Sequence, residues 1–130
     1  MARWHTISRR KPTGGLLKQN MTRKSRQKGS KFLETRIGKR NVKSRKMYGG
    51  KAKMKTLSAE YINVSDPKSK AMKKEKILSV EENPANPHYV RRNIITKGAV
   101  VKTEAGMVRV TSRPGQGASL SGILLEEKGK

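Results

Sequence analysis

Apolar positions along the chain fall into two regimes. Up to Lys31, MARWHTISRRKPTGGLLKQNMTRKSRQKGSK scatters Trp4, Ile7, Leu16, Leu17 and Met21 with neither the helical period of 3.6 nor the strand period of 2. Pro12, Gly14, Gly15 and Gly29 work further against a helix. From about Lys31 onward, short apolar runs recur between glycines. Phe32, Leu33, Ile37, Val42, Met47, Tyr48, Met54, Leu57, Tyr61, Ile62 and Val64 are interrupted by Gly38 and by the pair Gly49, Gly50. Such runs read as strands and turns. VKSRKMYGGKAKMKTL reads as a hairpin around Gly49 and Gly50, with alternate Lys and Arg projecting from one face.

Further along, DPKSKAMKKEK reads as a polar turn headed by Asp66 and Pro67, leading into a strand at KILSVEEN. NPANPHYVRRN, with two prolines and three asparagines, reads as a loop. The C-terminal third, NIITKGAVVKTEAGMVRVTSRPGQGASLSGILLEE, predicts strand, bend at Gly98, strand, turn near Ala105 and Gly106, strand, turn at Pro114 to Gly117, strand. In MVRVTS, Val108 and Val110 alternate with Arg109 and Thr111, so one face points in and one out. Short strands at spacings of about ten residues suggest a sandwich or small barrel. Closing the sheet removes edges that so small a core could not easily cover. The predicted fold class is all-β, a sandwich or small barrel at 31–130 with a basic first hairpin, preceded by a long, basic, irregular N-terminal extension at 1–30.

Charge changes the picture most. Across 130 residues, 32 Lys+Arg face 9 Asp+Glu, a net charge of +23, with 32% hydrophobic residues. Self-repulsion at this charge opposes a compact chain unless a polyanion supplies the counter-charge, and nucleic acid is the obvious one. The charge is also uneven. Residues 1–55 hold 19 Lys+Arg and a single acid, Glu34, a net of +18; the remaining 75 hold 13 bases and 8 acids, a net of +5.

Several classes drop away. With no Cys, there are no disulfides and no thiolate metal sites, and His5 and His88 have no zinc spacing. No apolar run approaches the roughly 20 residues of a membrane span. A transit peptide would want the amphipathic helix that Pro12 and the glycines oppose. A membrane-surface arm would want more insertable apolar residues than Trp4 and a few dispersed aliphatics. Catalysis finds no support either. Gly115, Gly117 and Gly122 lack dinucleotide spacing and precede a strand rather than a helix. Glu81 with Glu82, and Glu126 with Glu127, are neighbours in sequence, so in a strand each pair points to opposite faces and cannot share a metal or a proton.

A basic segment without its own core suits RNA, because cations along a loose chain can follow a phosphate backbone and displace its counterions. Such an arm is expected to order on binding. The candidate arm residues are Arg3, Trp4, Arg9, Arg10, Lys11, Thr13, Gly14, Gly15, Lys18, Arg23, Lys24, Arg26, Lys28 and Lys31. Gly14 and Gly15 allow a close or left-handed backbone approach while the Arg forks take neighbouring phosphates. Trp4 either stacks on an unpaired base or anchors against another protein. After the arm, Arg36, Lys39, Arg40, Lys43, Arg45, Lys46, Lys51 and Lys53 extend the basic surface through the hairpin. In the loop at 83–93, Tyr89 either sits beside the forks of Arg91 and Arg92 or packs inward. Arg113 adds a further basic loop position. Two other binding classes share this composition: an architectural DNA-binding protein, which normally dimerises or offers a wedge, and a translation-factor module that binds through its barrel face.

ARWHTISRRKPTGG at 2–15, NPANPHYVRRNIITKGA at 83–99 and RVTSRPGQ at 109–116, with VSDPKSK in order between them, resemble the archaeal and eukaryotic small-subunit ribosomal protein eight of the "e" type. The similarity covers nearly the whole chain, and the short length resembles the archaeal form. The resemblance implies a small antiparallel β-barrel in the cytoplasm, with an N-terminal extension threaded into small-subunit ribosomal RNA and with neighbouring small-subunit proteins as partners. It implies no enzymatic activity, cofactor, membrane or small-molecule substrate. By matching position, Arg3, Trp4, Arg9, Arg10, Thr13, Gly14 and Gly15 belong to the RNA-embedded arm, and Arg91, Arg92 and Arg113 to basic loops. This chain departs from the family pattern at Leu16 and Leu17, where Arg is frequent, and at Tyr48 to Lys51, which replaces an Arg-Gly-Gly-Asn run. Those sites either touch RNA differently or meet a neighbouring protein.

Overall fold

The computed structural model describes residues 3–18 and 20–125, apart from the side chain of Arg3. Glu126 and Glu127 therefore lie outside the described residues. The chain divides into two compact units after Phe32.

In the first unit, β1 (Arg3–Trp4) pairs antiparallel with β2 (Lys28–Gly29), Arg3 against Gly29 and Trp4 against Lys28. The His5 amide extends the pairing to the Gln27 carbonyl at 2.8 Å, and a 3-10 turn at Ser25–Gln27 leads into β2. Between them the chain folds back on itself. Arg10 bridges Leu16, the Leu17 amide donates to Arg9, and Lys11 and Gly15 close a tight loop at 2.9 Å. Gly14 sits in this loop at φ +86°, a conformation that L side chains rarely adopt.

The second unit holds β3 (Thr35–Ile37), β4 (Asn41–Lys46), β5 (Ala52–Ala59), β6 (Tyr61–Ser65), β7 (Met72–Glu82), a single helical turn α1 (His88–Arg91), β8 (Ile94–Ile95), β9 (Val100–Thr103), β10 (Gly106–Val110) and β11 (Ser121–Leu124). Strands β6, β7, β9, β10 and β11 close a barrel. Each neighbour is antiparallel except the closing pair, β11 with β6. An up-and-down meander of odd strand number can close in no other way, since its first and last strands run in the same direction.

Alternation fills the barrel. Ile62 and Val64, Val101 and Thr103, and Val108 and Val110 point inward, and all but Thr103 meet Ile77, Val80 and Leu120 in one buried cluster. At the parallel seam Gly122 is required for space. A Cβ there would lie 2.5 Å from Val108 Cγ1 and 2.9 Å from the Arg109 carbonyl oxygen. Strand β7 spans its neighbours by bending, with register shifts between Ile77 and Ser79 and between Val80 and Glu82.

The remaining strands form a second sheet in the order β4, β5, β3, β8. Buried threonines tie this sheet to the turn before β11. Thr35 Oγ1 donates to the Thr56 carbonyl at 2.7 Å, Thr56 Oγ1 donates to the Gly117 carbonyl at 2.9 Å, and the Thr56 amide donates to the Pro114 carbonyl.

Two sequence expectations change. The polar turn is shorter than DPKSKAMKKEK: Asp66 caps it by accepting from the Lys68 amide and the Ser69 hydroxyl, and β7 already begins at Met72. Pairing with β6, from Ser65 opposite Met72 to Tyr61 opposite Lys76, outweighs the weak strand propensity of the Lys and Glu there. NPANPHYVRRN is likewise more ordered than a loop, holding the single turn α1. Asn86 Oδ1 accepts from the His88 amide, and Asn93 ends the turn at φ +50°. Asn83 is buried, donating to the Ile94 carbonyl and accepting from the Ala85 amide and the Thr96 hydroxyl.

Candidate nucleic-acid interface

The β4–β5 hairpin carries the most ordered set of cations. Its register sets Lys43 opposite Lys55 and Arg45 opposite Lys53. With a period of two, these four share one face, in two rows about 5 Å apart with a pitch of about 6.7 Å along each strand. Neither β4 nor β5 contains an acidic residue. Like charges directly opposite destabilise a strand pair, so the pairing of Lys43 with Lys55 is a cost the free hairpin bears. Lys43 and Arg45 are exposed, while Lys53 and Lys55 are half-buried. Lys55 was missed in the sequence reading, although the period that selects Lys43, Arg45 and Lys53 also reaches it.

The other face bears Val42, Ser44, Ala52 and Met54, and turns to the interior only at Thr56. At the tip, Gly49 and Gly50 both hold positive φ, +72° and +71°, and the Met47 amide closes on the Lys51 carbonyl at 2.7 Å. Tyr48 projects there almost fully exposed, at 94%. Lys46 and Lys51 flank the tip and Lys39 and Arg40 its root, all exposed.

In the first unit, Arg9, Lys11, Lys18, Arg23, Lys24, Arg26, Lys28 and Lys31 are exposed, as are Thr13, Gly14 and Gly15. Arg10 bends back so that Nη1 donates to the Gly14 carbonyl at 2.7 Å, which braces the glycine loop. Trp4 is half-buried, and the Arg23 guanidinium stands 5.4 Å from its ring centroid. One partner of that ring is thus supplied from within the unit. Leu16 and Leu17 are exposed on the returning limb of the loop.

Around α1 the cations are partly committed. Glu34 Oε2 accepts from Arg36 Nη2 at 3.1 Å and from Arg92 Nη2 at 2.5 Å, joining β3 to the end of α1. The hydrogen bond from Arg36, with the field of Arg92, holds the Glu34 carboxyl below its ordinary range, although partial desolvation opposes this. Arg91 is exposed, Tyr89 is half-buried, and Arg113 is exposed at the start of the turn that Gln116 closes. Among the described residues, no three His, Cys, Asp or Glu side chains gather for a metal ion, and no helix is long and apolar enough to cross a membrane.

Comparison with known proteins shows the family of the chain. The family model for ribosomal protein S8e matches residues 4–125. The small ribosomal subunit protein eS8 of Methanospirillum hungatei is 45% identical over 123 residues, covering 95% of this chain and 98% of that protein. The protein of the same name from Picrophilus torridus is 44% identical over 116 residues, covering 89% and 93%. That of Sulfolobus acidocaldarius is 44% identical over 119 residues, covering 91% and 93%. With the family model matched from Trp4 to Leu125, the chain belongs to the ribosomal protein S8e family.

Proposed function

We propose that this protein is a structural constituent of the cytoplasmic small ribosomal subunit, and that it binds and stabilises ribosomal RNA through residues 1–30 and through the basic face of the domain at 31–130. Family membership over nearly the whole chain supports the first half, and a ribosomal protein of this kind is not an enzyme. The observation that carries RNA binding is the hairpin register, in which Lys43 and Arg45 stand directly opposite Lys55 and Lys53. A strand pair that sets cation against cation is stabilised by a polyanion laid along it, and phosphates threaded between the two rows neutralise both at once. The arm acts alongside it. Arg9, Lys11 and Lys18 surround a glycine loop whose shape Arg10 braces from within, so backbone amides and guanidinium forks meet phosphates together. Arg91 and Arg113 extend contact to the barrel loops, while Arg92 divides its fork between Glu34 and solvent. Neighbouring proteins of the subunit are the remaining partners.

The test is sedimentation of a native lysate through sucrose at low and then high salt, with the protein followed by mass spectrometry. It is expected with the small subunit and retained there through a moderate salt wash. Recovery at the top of the gradient, or with chromosomal DNA, would overturn the proposal.

A further inference from the structure

Apart from the hairpin, the barrel wall bears a shallow cup. Ile62 and Val64 fill the core, so Tyr61 and Asn63 between and beside them must point outward. The antiparallel register puts Lys74 opposite Asn63, and the Lys74 ammonium stands 4.6 Å from the Tyr61 ring centroid. On the other side the parallel seam brings in the segment before β11. The Asn63 amide donates to the Leu120 carbonyl at 3.0 Å, and Ser121 pairs with Asn63, so Ser119 lines the same cup. Arg40, from the link between β3 and β4, completes the rim.

The chemistry here is specific. Tyr61 is 44% exposed, an aromatic floor rather than a core ring. Asn63 and Ser119 are exposed, and among the described residues their side chains make no hydrogen bond. Arg40 likewise has no acidic partner there. Among the described residues the one acid lining the cup, Glu60, is engaged by Lys76 at 3.4 Å, so it does not cancel Arg40 and Lys74. An aromatic face, an amide with both donor and acceptor, a hydroxyl and two cations match the parts of one nucleotide.

We propose that this cup holds a single unpaired ribonucleotide, with its base on Tyr61, its edge against Asn63, and its phosphate held by Arg40 and Lys74. The proposal rests on the reading of the chain as an RNA-binding protein and adds a site that reads an extruded base. At rest Lys74 covers the ring. An incoming nucleotide offers that ammonium a phosphate and the ring a base, replacing an exposed cation–ring contact with stacking, the stronger of the two.

The test compares binding of the full chain to a blunt RNA duplex and to the same duplex carrying one unpaired nucleotide. Wild type is expected to bind the second RNA at least about fivefold more tightly, as base stacking on an aromatic ring implies. Tyr61→Ala should make the two affinities equal while leaving duplex binding unchanged and the domain folded, and Tyr61→Phe should keep the preference. Equal binding of both RNAs by wild type would overturn the inference and leave the RNA-binding reading standing. A preference that survives Tyr61→Ala but disappears in Trp4→Ala would overturn it in favour of the arm. Failure to bind either RNA would overturn this inference and the RNA-binding reading together.

Discussion

At Gly122 a single missing side chain decides whether the barrel closes. The positions of Val108 Cγ1 and the Arg109 carbonyl leave no room for a methyl group, and one of the two obstacles is backbone. Gly122→Ala should therefore destabilise the domain by about 1–3 kcal/mol, the usual cost of overpacking a filled core. For a unit of this size, that lowers the melting temperature by roughly 4–8 °C per kcal/mol in calorimetry. Gly115, with nothing within 4 Å of its would-be Cβ and no positive φ, is the control, and Gly115→Ala should stay close to wild type. Glu34 gives a pH-dependent counterpart. Its folded carboxyl is held below the ordinary value, so its pair with Arg36 and Arg92 contributes stability above the unfolded pKa and loses it as pH falls through the folded one. The stability gap between wild type and Glu34→Gln should be constant at neutral pH and shrink towards zero under acid conditions, as followed by urea unfolding across pH. A gap unchanged at the acid end would show that the ion pair contributes nothing to the link between β3 and α1.

Among the elements, the β4–β5 hairpin is where the proposed function sets stability and binding against each other. Lys55→Glu sets an acid opposite Lys43 and turns a repulsive cross-strand pair into an attractive one, worth about 0.2–1 kcal/mol. The free protein should unfold at higher denaturant while its affinity for RNA falls; a variant that gained stability with unchanged affinity would remove the hairpin from the interface. Elements like this one were legible in the sequence because their signal is local: alternating Lys and Arg, a Gly49–Gly50 tip, and Val108 and Val110 alternating with Arg109. The first half of β7 was not legible. Met72 to Lys76 has no apolar alternation, and its strand conformation comes from pairing with β6, which lies across a turn. The asparagines of the segment at 83–93 read as loop formers, yet Asn83 is buried and Asn93 accepts from the Val80 amide, because hydrogen-bond partners on β7 and β8 reach them from outside the segment. The Tyr61 cup was equally hidden. Its walls come from β6, β7 and the approach to β11, strands that become neighbours only when the barrel closes.

For the molecule as a whole, a net charge of +23 makes salt the decisive variable. Each phosphate neutralised releases counterions, and the logarithm of the binding constant falls with the logarithm of salt by about 0.7 to 0.9 per contact. Roughly eight contacts from the arm then contribute a slope of about −6 to −7. The full-length chain with Arg9, Arg10, Lys11, Lys18, Arg23, Lys24, Arg26 and Lys28 all replaced by Gln should lose that share of the slope, as measured by titration of small-subunit RNA at several ionic strengths. The barrel core lies entirely in the other unit, beyond Phe32, so the substituted chain retains its folded domain and the comparison reports binding rather than unfolding. The residual slope then belongs to the hairpin and the barrel loops, where Lys43, Arg45, Lys53 and Lys55 alone would account for about −3. If instead the slope changed by less than about 2, the arm would be bound without neutralising phosphate. The basic barrel face would then be the main RNA-binding surface, and the arm's exposed Leu16 and Leu17 would point to contact with a neighbouring protein.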